Sequence, residues 1–404
     1  MKKTVLFIAL VFSLMACDRF QDTTVYTDET VEGLDLTEAE LYDKVLGNIV
    51  GSAIGDAMGA PTEMWSRWAI DLEYGFVKGL DSMVREVSPE GVWKANLPAG
   101  GTTDDTRWKE LTYNYLSKQT SNTLNGREFA QEIIRSYQAA IDNYKTIESF
   151  DPEPFEENTL RVAWLQEWAK VAKPYVENSL DGYAVAMSKF YGGEMVCAGL
   201  LYAPAIGVFY PNQPELAYNE MYKLGIFDVG YARDISGLAA AMTAVGMKKG
   251  ARKEDMLDVL RSVDPQSYFK SRLVGRTSYR ILQKALGIVK EAKAEEEPMQ
   301  KAFELLDGNQ QDMPFHAGEI HLQVLVAMLY ADFDFMGTMQ FLVNYGRDND
   351  TTAAVAGGIL GSFHGFQKLP KTEREEVLKV SREYLDIDLE KLAQTLTTKI
   401  LELQ

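Results

Sequence analysis

The chain carries few of the residue types on which most hydrolytic and redox chemistry rests. Only two cysteines, Cys17 and Cys197, and three histidines occur in 404 residues. A zinc site built from thiolates and imidazoles would need more of both. His316 and His321 are five positions apart with Glu319 between them, which does not fit the His-Glu-x-x-His spacing of zinc proteases. There is no Gly-x-Ser-x-Gly elbow for a serine hydrolase and no phosphate-cradling P-loop. Period-two alternation of apolar and polar residues is scarce, which argues against a β architecture. Positive charge is in deficit too: the formal net charge is −18, and loss of Lys2 and Lys3 with a cleaved leader takes it to −20. A surface of that sign repels nucleic-acid backbones and anionic headgroups, so no nucleic-acid partner is expected.

What is present begins with a leader. Lys2 and Lys3 precede an apolar run from Val5 to Leu14, and Leu14-Met15-Ala16-Cys17 fits a bacterial lipoprotein cleavage box. The run is too short for a typical spanning helix and has the layout of an export signal. Residues 1–16 are therefore expected to be a signal peptide and Cys17 a lipidation site. The chain would then be anchored by lipid in the bacterial cell envelope, on a periplasmic or surface-facing side. Residues 17–37 are polar and acidic and read as a flexible tether. With Cys17 acylated, Cys197 has no disulfide partner, and its apolar setting in Val196-Cys197-Ala198-Gly199-Leu200 marks a buried structural thiol.

From residue 38 to residue 404 the pattern is helix after helix, with no linker to divide it. Trp164, Leu165, Trp168, Ala169 and Ala172 lie on one helical face, as do Phe129, Ile133, Ile134, Tyr137 and Ile141, and both sets read as core stripes. Breaks such as Pro211-Asn212-Gln213-Pro214 and Leu369-Pro370 mark loops, as does Asp151-Pro152-Glu153-Pro154. A hydrophobic fraction of 46% is enough for a full core. A single all-α domain is expected over residues 38–404, with the N-terminal segment as the only non-globular part.

Within that domain two acidic clusters stand out, Thr103-Asp104-Asp105-Thr106 and Asp348-Asn349-Asp350-Thr351, each heading a predicted helix. Singly, either fits an N-cap, where a carboxylate meets free N–H groups and the positive end of the helix dipole. Together they supply the oxygen ligands that hard cations such as Mg²⁺ and Mn²⁺ require. Gly47, Gly51, Gly55 and Gly59 recur every four residues upstream of the first cluster, and Ala354, Gly357, Gly358, Gly361 and Gly365 follow the second. Each glycine inside a helix costs about 1 kcal/mol relative to alanine. Accepting that cost repeatedly implies close backbone approach, so the two helices are expected to pack against each other and carry the clusters together.

Three blocks, in order, are similar to those of the ADP-ribosylglycohydrolase family: Gly47 to Glu63, Thr103-Asp104-Asp105-Thr106, and Gly346-Arg347-Asp348-Asn349-Asp350-Thr351. The resemblance implies an all-helical fold with a binuclear Mg²⁺ or Mn²⁺ cleft, hydrolysing an N- or O-glycosidic bond at the anomeric carbon of an ADP-ribosyl group. It assigns Thr103, Asp104, Asp105, Asp348, Asp350 and Thr351 as metal ligands. It places Glu63 beside the substrate ribose, with Glu63, Asp104 or Asp105 taking the proton of the attacking water. Gly192-Gly193-Glu194-Met195-Val196 stands where the family's substrate-touching Gly-Asn-Gly-x-x-Met-Arg block would lie, so Gly193 and Met195 are the expected substrate contacts. That block lacks the family's Asn and Arg, and the region Tyr231-Ala232-Arg233-Asp234-Ile235-Ser236 lacks a Thr-His pair. The metal end is kept and the nucleotide end altered. The expected partner is accordingly a small-molecule or protein-linked ribosyl substrate. An extracytoplasmic nucleoside, nucleotide sugar or glycan is the alternative substrate, and a non-catalytic ligand-binding lipoprotein the alternative class.

Overall fold

The computed structural model describes residues 26–84, 94, 96–145 and 163–403. The expected signal peptide, Cys17 and the Asp151-Pro152-Glu153-Pro154 break lie outside the described residues. Among the described residues, seventeen α-helices run in chain order: α1 Glu38–Gly59, α2 Arg67–Tyr74, α3 Asp104–Leu116, α4 Gly126–Lys145, α5 Gln166–Val176, α6 Leu180–Met187, α7 Ala203–Val208, α8 Pro214–Leu224 and α9 Ala232–Gly246. They continue as α10 Lys253–Ser262, α11 Thr277–Ala292, α12 Pro298–Asp307, α13 Ala317–Tyr330, α14 Phe335–Tyr345, α15 Asn349–His364, α16 Lys371–Tyr384 and α17 Leu389–Leu403. Among the described residues the extended structure is limited to isolated bridges, so the all-α architecture is as the residue pattern predicts.

The centre of the fold is the pair α1 and α15. α1 starts at a capping box, with Thr37 Oγ1 accepting from the Glu40 N–H and the Glu40 carboxylate accepting from the Thr37 N–H. From Leu46 to Gly59 every residue of α1 is buried. The helices run antiparallel with their backbones in contact. A Cβ on Gly47 would lie 2.4 Å from the Gly361 carbonyl oxygen, one on Gly51 2.4 Å from that of Gly357, and one on Gly55 2.1 Å from that of Ala353. At the last rung a Cβ on Gly59 would lie 2.4 Å from Asp350 Cα. No side chain fits such gaps, which is why glycine is tolerated in the helix interiors. The contact stripe of α15 is Ala353, Gly357 and Gly361; Gly358 faces Pro204, and Gly365 is the helix C-cap at φ 82°. Buried polar bonds fix the register: Asn48 Nδ2 donates to the Gly358 carbonyl at 2.8 Å, and Tyr113 from α3 donates to the Val45 carbonyl at 3.0 Å.

The expected tether stops short of residue 37. Val31, Leu34 and Leu36 are buried, Thr30 bridges to Thr37, Tyr26 stacks on Tyr42, and the Tyr26 hydroxyl donates to the Gln394 carbonyl of α17. Residues 26–37 thus pack on the helical body. Three well-spaced apolar side chains, diluted by acidic neighbours, are enough to hold them there.

Candidate metal centre

The glycine-lined pair delivers the two acidic clusters to one place. α1 ends in the short turn Ala60–Thr62, and Glu63 follows as its cap residue. The chain then pairs with the approach to α15: the Met64 N–H donates to the Arg347 carbonyl at 2.7 Å and the Arg347 N–H to the Trp65 carbonyl at 2.9 Å. Arg347 sits at φ 65° and Gly346 at φ 85°. The Arg347 guanidinium grips buried Glu319 through Nε at 2.8 Å and Nη2 at 2.9 Å. Asn349, fully buried, donates to Thr62 Oγ1 at 2.8 Å and to the Val343 carbonyl at 3.1 Å. Glu63 is thereby held against the Asp348–Thr351 turn.

α3 brings the other cluster. Thr103 is its N-cap, and the Thr103 hydroxyl donates to Asp350 Oδ2 at 3.3 Å. Thr351 donates to Asp105 Oδ2 at 3.0 Å. The two clusters therefore touch across 247 residues of sequence. Asp56, on α1 within the glycine stripe, has no role in the sequence reading, yet it holds this arrangement in place. Its carboxylate accepts from the Thr103 N–H at 2.9 Å, the Thr106 N–H at 2.9 Å and the Thr106 hydroxyl at 2.6 Å. Burial and the Asp105 charge push the Asp56 carboxyl up to about 7, while the Thr106 and Thr103 bonds pull the other way. Asp56 ends a buried polar row with Asn48 and Ser52, at the four-residue spacing of one helical face, and that row was the available signal. Lys109 has no role in the sequence reading either; its Nζ lies 3.0 Å from Asp105 Oδ1, with both side chains buried.

Asp348 and Asp350 are 3% and 2% exposed, and Asp348 Oδ2 and Asp350 Oδ1 are buried with no hydrogen-bond partner. Burial, then the charges of Asp105 and Glu63, hold the Asp348 carboxyl well above the usual carboxylate range. Burial, Glu63 and Asp348 do the same to Asp350, and burial, Asp105 and Glu63 to Asp104. Orphaned carboxylate oxygens and mutual repulsion in one place are what a bound cation would relieve. Glu63, Asp348 and Asp350 each offer an oxygen within 4.8 Å of the others. These residues fit a hard divalent ion.

Above the carboxylates is a small cleft of about 70 Å³ lined by Glu63, Asp104, Asp348 and Asp350 together with Trp168, Tyr191, Cys197 and Phe315. Backbone pairing of Cys197 N–H to the Phe315 carbonyl and Ala317 N–H to the Met195 carbonyl, both 2.9 Å, sets that roof. Tyr191 adopts φ 44° and meets Phe315 edge-on, with ring centroids 5.6 Å apart. The expected substrate contacts are displaced by this turn. Gly193 is exposed and Met195 spends its carbonyl on Ala317, and neither lines the cleft; Tyr191 and Val196 do. Trp168, read from sequence as a core residue, packs on Trp108 with centroids 4.2 Å apart and also faces the cleft. Cys197 is buried, and burial followed by the nearby Asp348 charge pushes its thiol well up, as in a structural thiol.

The fold is a multi-helical scaffold that converges two acidic helix N-termini on one cleft. The ADP-ribosylglycohydrolase family pattern matches residues 37–403, and the chain belongs to that family. A solved structure titled as an ADP-ribosylglycohydrolase-related protein complex shares the fold: the TM-score is 0.55 at 18% identity, over 89% of this chain and 99% of that one. No curated protein matches the chain.

Proposed function

We propose that the protein hydrolyses the N- or O-glycosidic bond of an ADP-ribosyl or related ribosyl group with the help of Mg²⁺ or Mn²⁺. The observation that carries this reading is the pair of buried, unpartnered oxygens on Asp348 and Asp350 facing Glu63 across the floor of an aromatic-walled cleft. Asp348, Asp350 and Glu63 would hold the cation, with Asp104 at the adjoining wall. Bound there, a divalent ion supplies Lewis-acid polarisation of sugar oxygens and a lowered pKa for water.

The side chains of this protein do the rest. Asp105 has one oxygen on Lys109 and the other on Thr351. Of the carboxylates lining the cleft, Asp348 and Asp350 would be held on the cation, which leaves the less buried Glu63 or Asp104 to take the proton of the attacking water. Trp168, Tyr191 and Phe315 shield the reacting bond from bulk water and offer flat faces to the substrate. The altered Gly192–Val196 turn favours a ribosyl group whose distal part differs from that of ADP-ribose, such as a nucleoside or nucleotide sugar met outside the cytoplasm. Export and lipid attachment at Cys17 complete the proposal.

The deciding experiment incubates the protein with a panel of ADP-ribosyl peptides, nucleosides and nucleotide sugars and measures free sugar with and without chelator. Chelator-sensitive release from at least one member is expected. No turnover of any member in saturating Mg²⁺ or Mn²⁺ would leave a ligand-binding protein in its place.

A further inference from the structure

Lys109 is a lysine in a position where a cation-binding site would be expected to exclude positive charge. It lies one helical turn after Asp105 on α3, the i,i+4 spacing that lets two side chains meet. Its Nζ sits 3.0 Å from Asp105 Oδ1, and the two side chains are 0% and 2% exposed. The second oxygen of Asp105 accepts from Thr351 at 3.0 Å. Asp105 is thus spent on joining α3 to α15, and both of its oxygens are engaged. Asp348 and Asp350 differ: each keeps a buried oxygen without a partner, and their ligand atoms gather with that of Glu63 but not with Asp105.

We infer that the centre holds one divalent cation, on Asp348, Asp350 and Glu63, and that the Lys109 ammonium stands beside Asp105 in place of a second. The inference rests on the proposed Mg²⁺ or Mn²⁺ dependence and corrects the two-ion expectation that the family resemblance carries. Paired ions in a binuclear site sit about 3.5–4 Å apart and share carboxylates. Recruiting Asp105 to such a pair would strip Lys109 of its counter-charge while burying it next to a dication, and both changes are strongly unfavourable. Lys109 is accordingly a positioning residue. It engages Asp105 Oδ1 and so holds that carboxylate away from the ligand set, and it supplies fixed positive charge that the carboxylate cluster would otherwise draw from solution.

The test loads the full chain with Mn²⁺, removes excess ion, and combines elemental analysis with electron paramagnetic resonance. The wild type is expected to retain one equivalent per chain, with the hyperfine pattern of an isolated ion. Lys109→Met, which frees Asp105, is expected to take up a second equivalent and to show a spin-coupled pair. Two coupled ions in the wild type would overturn the inference, and so would one ion in both proteins. No retained ion in the wild type would remove the metal-dependent reading itself, a separate result. Should Lys109→Met fail to fold, the wild-type spectrum alone distinguishes an isolated ion from a coupled pair.

Discussion

Among individual residues, position in the fold separates ligands from supports. Asp350 is held by the Thr103 hydroxyl through one oxygen and leaves the other unpaired. Asp350→Asn keeps the shape and removes the charge. It should lower cation affinity by at least ~10²-fold, since even outer-shell changes at metal sites cost 10–100-fold, while circular dichroism stays that of the wild type. Unaltered ion uptake would take Asp350 off the ligand list. His321 offers a test unrelated to the cleft. Burial pushes its imidazole down to about 4 from the usual 6.5, with Asp234 and Arg276 as its charged neighbours. A depressed histidine contributes stability that is present above pH 6.5 and is lost as the unfolded chain takes up the proton on the way down to about 4. The loss amounts to roughly 3 kcal/mol. His321→Leu should flatten the stability curve over that window in urea melts, and parallel curves would refute the assignment. The acidic clusters were legible from sequence because each is a local pattern. Asp56 was not, because its role as acceptor for Thr103 and Thr106 exists only once α1 meets α3. Lys109 was readable by helical spacing, but a lysine four residues past an aspartate looks like any surface pair until both are known to be buried.

For the helices, the four-residue glycine period predicted a close crossing, and the crossing is there. Gly51→Ala would set a Cβ 2.4 Å from the Gly357 carbonyl, a backbone atom with nowhere to go. The variant should lose several kcal/mol or fail to fold, as strong overpacking does. Gly287, exposed in α11 with nothing near its Cβ position, is the control. Gly287→Ala should raise stability by about 0.5–1 kcal/mol. A thermal melt reads both, and equal effects would mean that helix propensity rather than contact governs the stripe. The aromatic roof was less accessible to sequence reading. Trp168, Tyr191 and Phe315 come from three separated segments, and nothing local distinguishes a ring facing a cleft from one facing the core. The packing of residues 26–37 escapes the sequence pattern for a related reason: burial of Val31, Leu34 and Leu36 depends on the surface they meet and not on their neighbours in sequence.

For the whole molecule, the resolved N-terminal segment enters at the start of α1, and the candidate metal centre lies beyond its end. A 22-residue helix spans about 33 Å. With Cys17 held in a bilayer, the cleft would sit at the far end of the domain, open to whatever passes. Cys17→Ser should move the protein from the membrane fraction to the soluble one, read by fractionation and blotting. Persistent membrane association would count against acylation at that position. Among the described residues no helix is long and apolar enough to cross a membrane, so retention would call for a different anchor.

The antiparallel contact between α1 and α15 also imposes an order of events. Gly59 and Asp350 meet, yet about 290 residues separate them along the chain. At ribosomal speeds of 5–20 residues/s, α1 waits roughly 15–60 s for its mate to be made. During that interval its glycine-lined face has nothing to cover it, and no fragment ending before α15 can assemble the pocket. The two acidic clusters therefore come together only once synthesis is nearly finished.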